Sequence, residues 1–165
     1  MRQIENLFVQ ACRIGIGLAF ATLIASVLIQ VVGRSIGSSP IWTEELTRYA
    51  LLYLCAFGAG LALRSGDLVN VDVLCENTPG FWPRRLRLIS AVLTSFLSAW
   101  LLLPAWKFVS IGAFQTSPAM SLRMTYVHFS VFLLLATLFV FSFLRVVFML
   151  FGDDSGLAIN RQNKD

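Results

Sequence analysis

Residues 124–144 read MTYVHFSVFLLLATLFVFSFL, a run of 21 without one Asp, Glu, Lys or Arg. As a helix rising about 1.5 Å per residue, this run reaches across the roughly 30 Å hydrocarbon core of a bilayer. A helix on the surface of a soluble domain would keep a polar face, and this stretch has none. Three more windows are free of charge: 14–32, 49–63 and 88–106. Together the four hold 74 of the 165 residues, and the other 91 carry all 22 charged side chains. That remainder has the charge density of an ordinary soluble protein, about a quarter. The chain is therefore built for two media, which argues against a soluble enzyme, a disordered tail and a nucleic-acid binder. The net charge of +4 then reports membrane orientation and gives no reason to expect nucleic acid as a partner.

The expected fold is all-α and integral to the membrane, with four transmembrane helices in one domain over 1–152 and a polar tail over 153–165. Window 49–63 spans only about 22 Å at the usual helical rise. Arg48 and Arg64 flank it and can snorkel outward, so their apolar stems extend the span. Ser39-Pro40 reads as a helix cap followed by proline at the first helical position. A helical stretch is thus expected from about 40, bent or broken near 47–49 and continuing to 63. Its first part, about 40–48, should be a short amphipathic interfacial helix between spans one and two. The first span resembles a signal peptide in its basic start and its Ser35-Ile36-Gly37 triplet. Its apolar run is longer than a signal core, and Arg34 precedes the triplet, so an uncleaved helix is expected.

Lys and Arg accumulate on the cytoplasmic side of membrane proteins. The N-terminal segment, the 64–87 loop and the C-terminal tail hold nine, and the two remaining loops hold four. Both termini should therefore face the cytoplasm.

The chemistry such a chain can carry is narrow. His128 is its one histidine, so paired-histidine haem ligation within the chain is excluded. His128 itself reads as an interfacial or helix-packing residue. Cys12, Cys55 and Cys75 are far apart and form no CxxC pair, which argues against a thiol oxidase. No phosphate loop, HExxH or acidic metal cluster occurs, so no cofactor, metal or catalytic group is expected. An ion-coupled pump needs an ionisable group within a span, and the windows offer only His128. Gln30 reads as a helix–helix hydrogen-bonding residue. Gly17, Ala21 and Ala25 in span one, and Ala56 and Gly60 in span two, form small-residue stripes that suggest a compact bundle. Trp82, Trp100 and Trp106 read as interface or packing aromatics.

Polar information concentrates beside span two. Glu44 and Glu45 stand four and three residues before Arg48, so both can pair with it along a helix. Ile41, Trp42, Leu46 and Tyr49 lie on the other face. This segment is either a solvated lead-in to span two or a docking helix for another chain. Arg64 and Asp67 can form a surface pair beyond the span. Arg84, Arg85 and Arg87, after Pro83, read as topology-setting residues that touch anionic lipid headgroups.

Several of these residues recur together in a known family. After Arg34 comes Trp42-Thr43-Glu44-Glu45-Leu46-Thr47-Arg48-Tyr49, then Phe57-Gly58-Ala59, Arg64-x-Gly66 and Val71-Asp72. More weakly, Ser117-Pro118-Ala119-Met120 precedes span four. Over roughly 7–150 the chain resembles the small membrane subunit of tripartite ATP-independent periplasmic (TRAP) transporters, the DctQ-like family. Leu68 and Ser130 stand where that family often has histidine and proline.

The resemblance implies a non-catalytic scaffold subunit in a bacterial inner membrane. Its partners would be a large multi-span TRAP subunit, which moves substrate with sodium, and a periplasmic binding protein that delivers an organic acid. Membrane lipids would surround it. Trp42, Glu44, Glu45, Arg48 and Tyr49 would form the docking segment, with Arg34, Arg64 and Asp72 as polar anchors. The rival expectation is a self-contained small homo-oligomeric transporter or channel.

Overall fold

The computed structural model describes residues 2–38, 40–65 and 82–151. Asp67, Asp72, Cys75 and the 153–165 tail lie outside them, as do the side chains of Trp82 and Arg84. The described chain forms α1 (Arg2–Ser35), α2 (Trp42–Ser65), α3 (Trp82–Ile111), a 3-10 turn (Gly112–Phe114) and α4 (Thr125–Phe151). All four α-helices are long and apolar enough to cross a membrane. The only strand-like pairing among the described residues is an isolated bridge between Thr116 and Arg123. Each helix outruns its charge-free window, because charged residues at a membrane rim continue a helix as readily as apolar ones.

Chain ends and turns follow local chemistry. At the end of α1, Ser38 N–H donates to Gly33 C=O at 2.9 Å and Gly37 N–H to Arg34 C=O at 3.2 Å. This is the Schellman pattern, which needs a left-handed residue between the two. Gly37 supplies it with φ +77°, so the Ser35-Ile36-Gly37 triplet is a helix stop. Continuity distinguishes α2 from its expectation. No Gly or Pro lies between Trp42 and Phe57, and Thr47 Oγ1 folds back onto Thr43 C=O at 2.8 Å. The helix runs unbroken through 47–49, so 40–48 is not a separate surface element; its last seven residues are the opening turns of α2. Several hydroxyls within the spans likewise return to their own helix, as Thr22 does to Leu18 C=O and Ser142 to Leu138 C=O. In hydrocarbon this matters, because no water is present to satisfy them.

The helices lie in a row. α1 packs on α2, α2 on α4 and α4 on α3, while α1 and α3 form no packed pair. The compact bundle expected from the sequence is therefore replaced by an open layer. The reason is visible on α1. Its Gly17, Ala21 and Ala25 stripe is exposed, and a Cβ on Gly17 would meet nothing within 4 Å. A second stripe of small residues, Cys12, Ala19 and Ser26, is buried. It lets α2 approach on one side only. Further along, Phe57 lies across Gly15, and a Cβ there would come within 2.7 Å of its ring.

Between α2 and α4 the small stripe read from sequence is in use. Ala56 is fully buried, and a Cβ on Gly60 would meet Phe141 and Thr137 at 2.9 Å. Thr137 Oγ1 donates to Ala56 C=O at 2.9 Å, tying the two helices where their backbones come close. Val9, Cys12, Leu63 and Phe141 form a buried cluster shared by α1, α2 and α4.

Candidate functional site

α1 ends where α2 begins, and α3 ends where α4 begins, so both connections share one rim of the layer. The carboxylates Glu44 and Glu45 are both there, in the first turn of α2. Arg34 sits in the last turn of α1. Each charge thus lies where its helix dipole favours it.

Glu44 and Glu45 are neighbours in sequence and therefore point about 100° apart around the helix. Glu44 turns to α1. Arg34 Nη2 donates to Glu44 Oε1 at 3.2 Å, and Gln30 Nε2 donates to the same oxygen at 3.3 Å. One turn deeper, Ser26 Oγ and Thr47 Oγ1 lie 3.0 Å apart and share a hydrogen bond. These contacts form a polar ladder that fixes the register of α1 against α2. The ion pair is exposed on both sides, so its net worth is about 0–1 kcal/mol and its geometry matters more than its strength. Gln30 is the interhelix hydrogen-bonding residue the sequence suggested.

Glu45 turns the other way, to the loop between α3 and α4. The Ser117 hydroxyl donates to Oε2. Ala119 N–H donates to Oε1 and Met120 N–H to Oε2, each at 3.2 Å. The Tyr49 hydroxyl lies 3.5 Å from Oε2. The loop also closes on itself: Ser117 N–H reaches Leu122 C=O at 2.8 Å and Met124 N–H reaches Gln115 C=O at 2.9 Å. Its tight turn puts Ser121 at φ +53°. One carboxylate so accepts backbone donors that the turn would leave unpaired. Tyr53 adds a second tie, donating to Tyr126 C=O at 2.6 Å.

The pairs expected along α2, from Glu44 and Glu45 to Arg48, do not form. Both acids are drawn off α2, one to α1 and one to the loop. Arg48 is left exposed, with no carboxylate partner among the described residues. Trp42 is also exposed, Tyr49 is half-buried against Glu45, and Thr43 is fully buried. At the opposite rim Arg85 is exposed, whereas Arg87 is buried and engaged within the chain. Arg64 there is half-buried and also engaged.

His128 has a structural assignment. Its Nδ1 lies 3.0 Å from Phe108 C=O, and its ring stacks on Phe108 with centroids 3.9 Å apart. Phe108 is in the last turn of α3, where carbonyls lose their intrahelical donors. A proton on Nδ1 lets His128 cap that helix. Ser117 is the residue sequence reasoning undervalued. The Ser-Pro turn signal was present, but nothing local linked it to an acid on another helix.

The rim thus joins two connections through two acids and holds the layer in register; among the described residues it presents neither a cavity with converging reactive groups nor a relay into the spans. Over residues 23–151 the chain matches the family model described as the DctQ component of tripartite ATP-independent periplasmic transporters. Comparison with curated proteins finds no match. The matched segment takes in the Arg34–Glu44 ladder, the Glu45-held loop and most of the four helices, and the chain belongs to the DctQ family of TRAP transporter components.

Proposed function

We propose that this chain is the non-catalytic small scaffold subunit of a sodium-coupled TRAP transporter that takes up an organic acid. One observation carries the reading: the charge-free windows contain a single ionisable side chain apart from tyrosine and cysteine, His128, and its ring is committed to the end of α3. A transport path needs polar groups facing a cavity within the membrane. A scaffold needs the reverse, rigid helices with broad apolar faces, and no more than 22% of any span's most apolar stretch is buried within the chain.

On this reading a large multi-span subunit covers part of the layer, and a periplasmic binding protein supplies substrate to the assembly. The membrane is a bacterial inner membrane, with both termini cytoplasmic. The segment Trp42, Glu44, Glu45, Arg48 and Tyr49 is the docking segment. Within it Glu44 and Glu45 hold the chain's own rim in shape, while Trp42 and Arg48 face outward. Arg34, Arg64 and Asp72 anchor the two faces, and Arg84 and Arg85 meet lipid headgroups.

Affinity purification in mild detergents, followed by mass spectrometry of co-eluting proteins, tests the proposal. A large multi-span membrane protein should accompany the tagged chain. Its absence across several detergents, together with transport by the purified chain alone in liposomes, would overturn the scaffold reading in favour of a self-contained transporter.

A further inference from the structure

We infer that Arg48 pairs with a carboxylate of a second membrane chain seated on the open face of α2. The inference rests on the scaffold reading above and names the contact that reading leaves open. Glu44, Arg48, Leu51 and Cys55 are all exposed and follow one another at helical spacing, so they form one straight stripe along α2. Leu52, 42% exposed, borders it. α2 is an inner helix of the row, flanked by α1 and α4, so this stripe is a face of the layer and not its edge.

Two facts make the stripe specific. First, its charges do not cancel within the chain. Arg34 neutralises Glu44, and Glu45 is turned to the Ser117–Met120 turn, which leaves the guanidinium of Arg48 as the uncompensated charge on the stripe. Arginine cannot shed its proton to escape this. Second, the stripe turns apolar one turn further in, at Leu51 and Leu52. A chain that covers those residues also removes water from Arg48, and a desolvated guanidinium requires an acceptor. A carboxylate meets its planar fork with two parallel hydrogen bonds.

A lipid phosphate would satisfy the same charge. It is the less favoured occupant because the Arg34–Glu44 and Ser26–Thr47 contacts hold this face in a fixed register, which a mobile headgroup does not require.

The test uses the tagged full-length chain in its native membranes. Arg48→Glu should lower the yield of the co-purified large subunit by about tenfold or more, the scale expected when one partner of a desolvated charge pair is reversed. Lys107→Glu, a charge reversal at an exposed residue on α3, should leave it unchanged. In the Arg48→Lys variant, a carbodiimide should couple the lysine amine to an Asp or Glu of the other chain, read as a cross-linked peptide. Equal yields for Arg48→Glu and the unaltered chain would overturn the inference. So would loss of bound anionic phospholipid with an intact complex, which assigns Arg48 to phosphate. Where Arg48→Glu fails to fold, the cross-link decides alone, and its absence counts against the pair. If the unaltered chain captures no second membrane protein, the scaffold reading itself falls, an outcome distinct from loss of the Arg48 pair alone.

Discussion

Glu45 accepts from a hydroxyl and two backbone N–H groups of a turn that lies more than seventy residues away in sequence. A glutamine there keeps the shape but loses the charge and one of the two accepting oxygens. Glu45→Gln should therefore speed amide exchange at Ala119 and Met120 while leaving exchange in the middle of α2 unchanged, measured by hydrogen–deuterium exchange in nanodiscs. Unaltered protection at both amides would show that the turn holds itself. Glu44 and Glu45 were legible as candidates, because they stand at helical spacing to Arg48 beside an apolar run. Their partners were not. Spacing rules see only residues three or four apart on the same helix, and they proposed Arg48 for both acids. Arg34 and Ser117 compete from other elements, which no local rule can weigh. His128 shows the same limit: its position near the start of a span suggested packing, but its task is set by Phe108 on the neighbouring helix.

The helices themselves were legible because hydrocarbon excludes charge, so four charge-free windows marked four helices. Their ends were less so, since nothing in a charged rim residue stops a helix. Two punctuation marks can be read afterwards: Gly37 closes α1 in a left-handed turn, and the lack of Gly or Pro before Phe57 keeps α2 whole. The contact between α2 and α4 depends on a missing side chain at Gly60. Gly60→Leu drives a branched side chain into Phe141 and Thr137, which already lie 2.9 Å from a bare Cβ. The two helices must separate, at a cost of about 1–3 kcal/mol by analogy with overpacked cores. Thermal denaturation in detergent should report that loss. Gly58→Ala should leave the melting curve in place, because a Cβ there meets nothing within 4 Å. An equal drop for both would mean that glycine flexibility, and not close approach, is what α2 needs.

The open row sets how the whole molecule can be used. A closed bundle would turn one face of every helix inward, whereas a row offers two broad faces, with Arg48 on one of them. The sequence could not distinguish these arrangements. It showed small residues on α1, but Gly17, Ala21 and Ala25 were as plausible a seam as Cys12, Ala19 and Ser26. The choice is made by what α2 presents: Thr47 meets Ser26, and Phe57 lies across Gly15. Disulfide trapping separates the two architectures. With Cys12, Cys55 and Cys75 first replaced by alanine, the pair Ser26→Cys and Thr47→Cys should oxidise readily, since the native side-chain oxygens are 3.0 Å apart and a disulfide needs close, facing Cβ atoms. The pair Ser26→Cys and Leu101→Cys, on α1 and α3 at similar depth, should stay reduced, because α2 and α4 lie between those helices. Electrophoretic mobility of the oxidised chain in membranes reads both. Efficient trapping of the second pair within one chain would mean that α1 and α3 meet, closing the layer into a bundle and hiding helix faces that the scaffold reading leaves open to a partner.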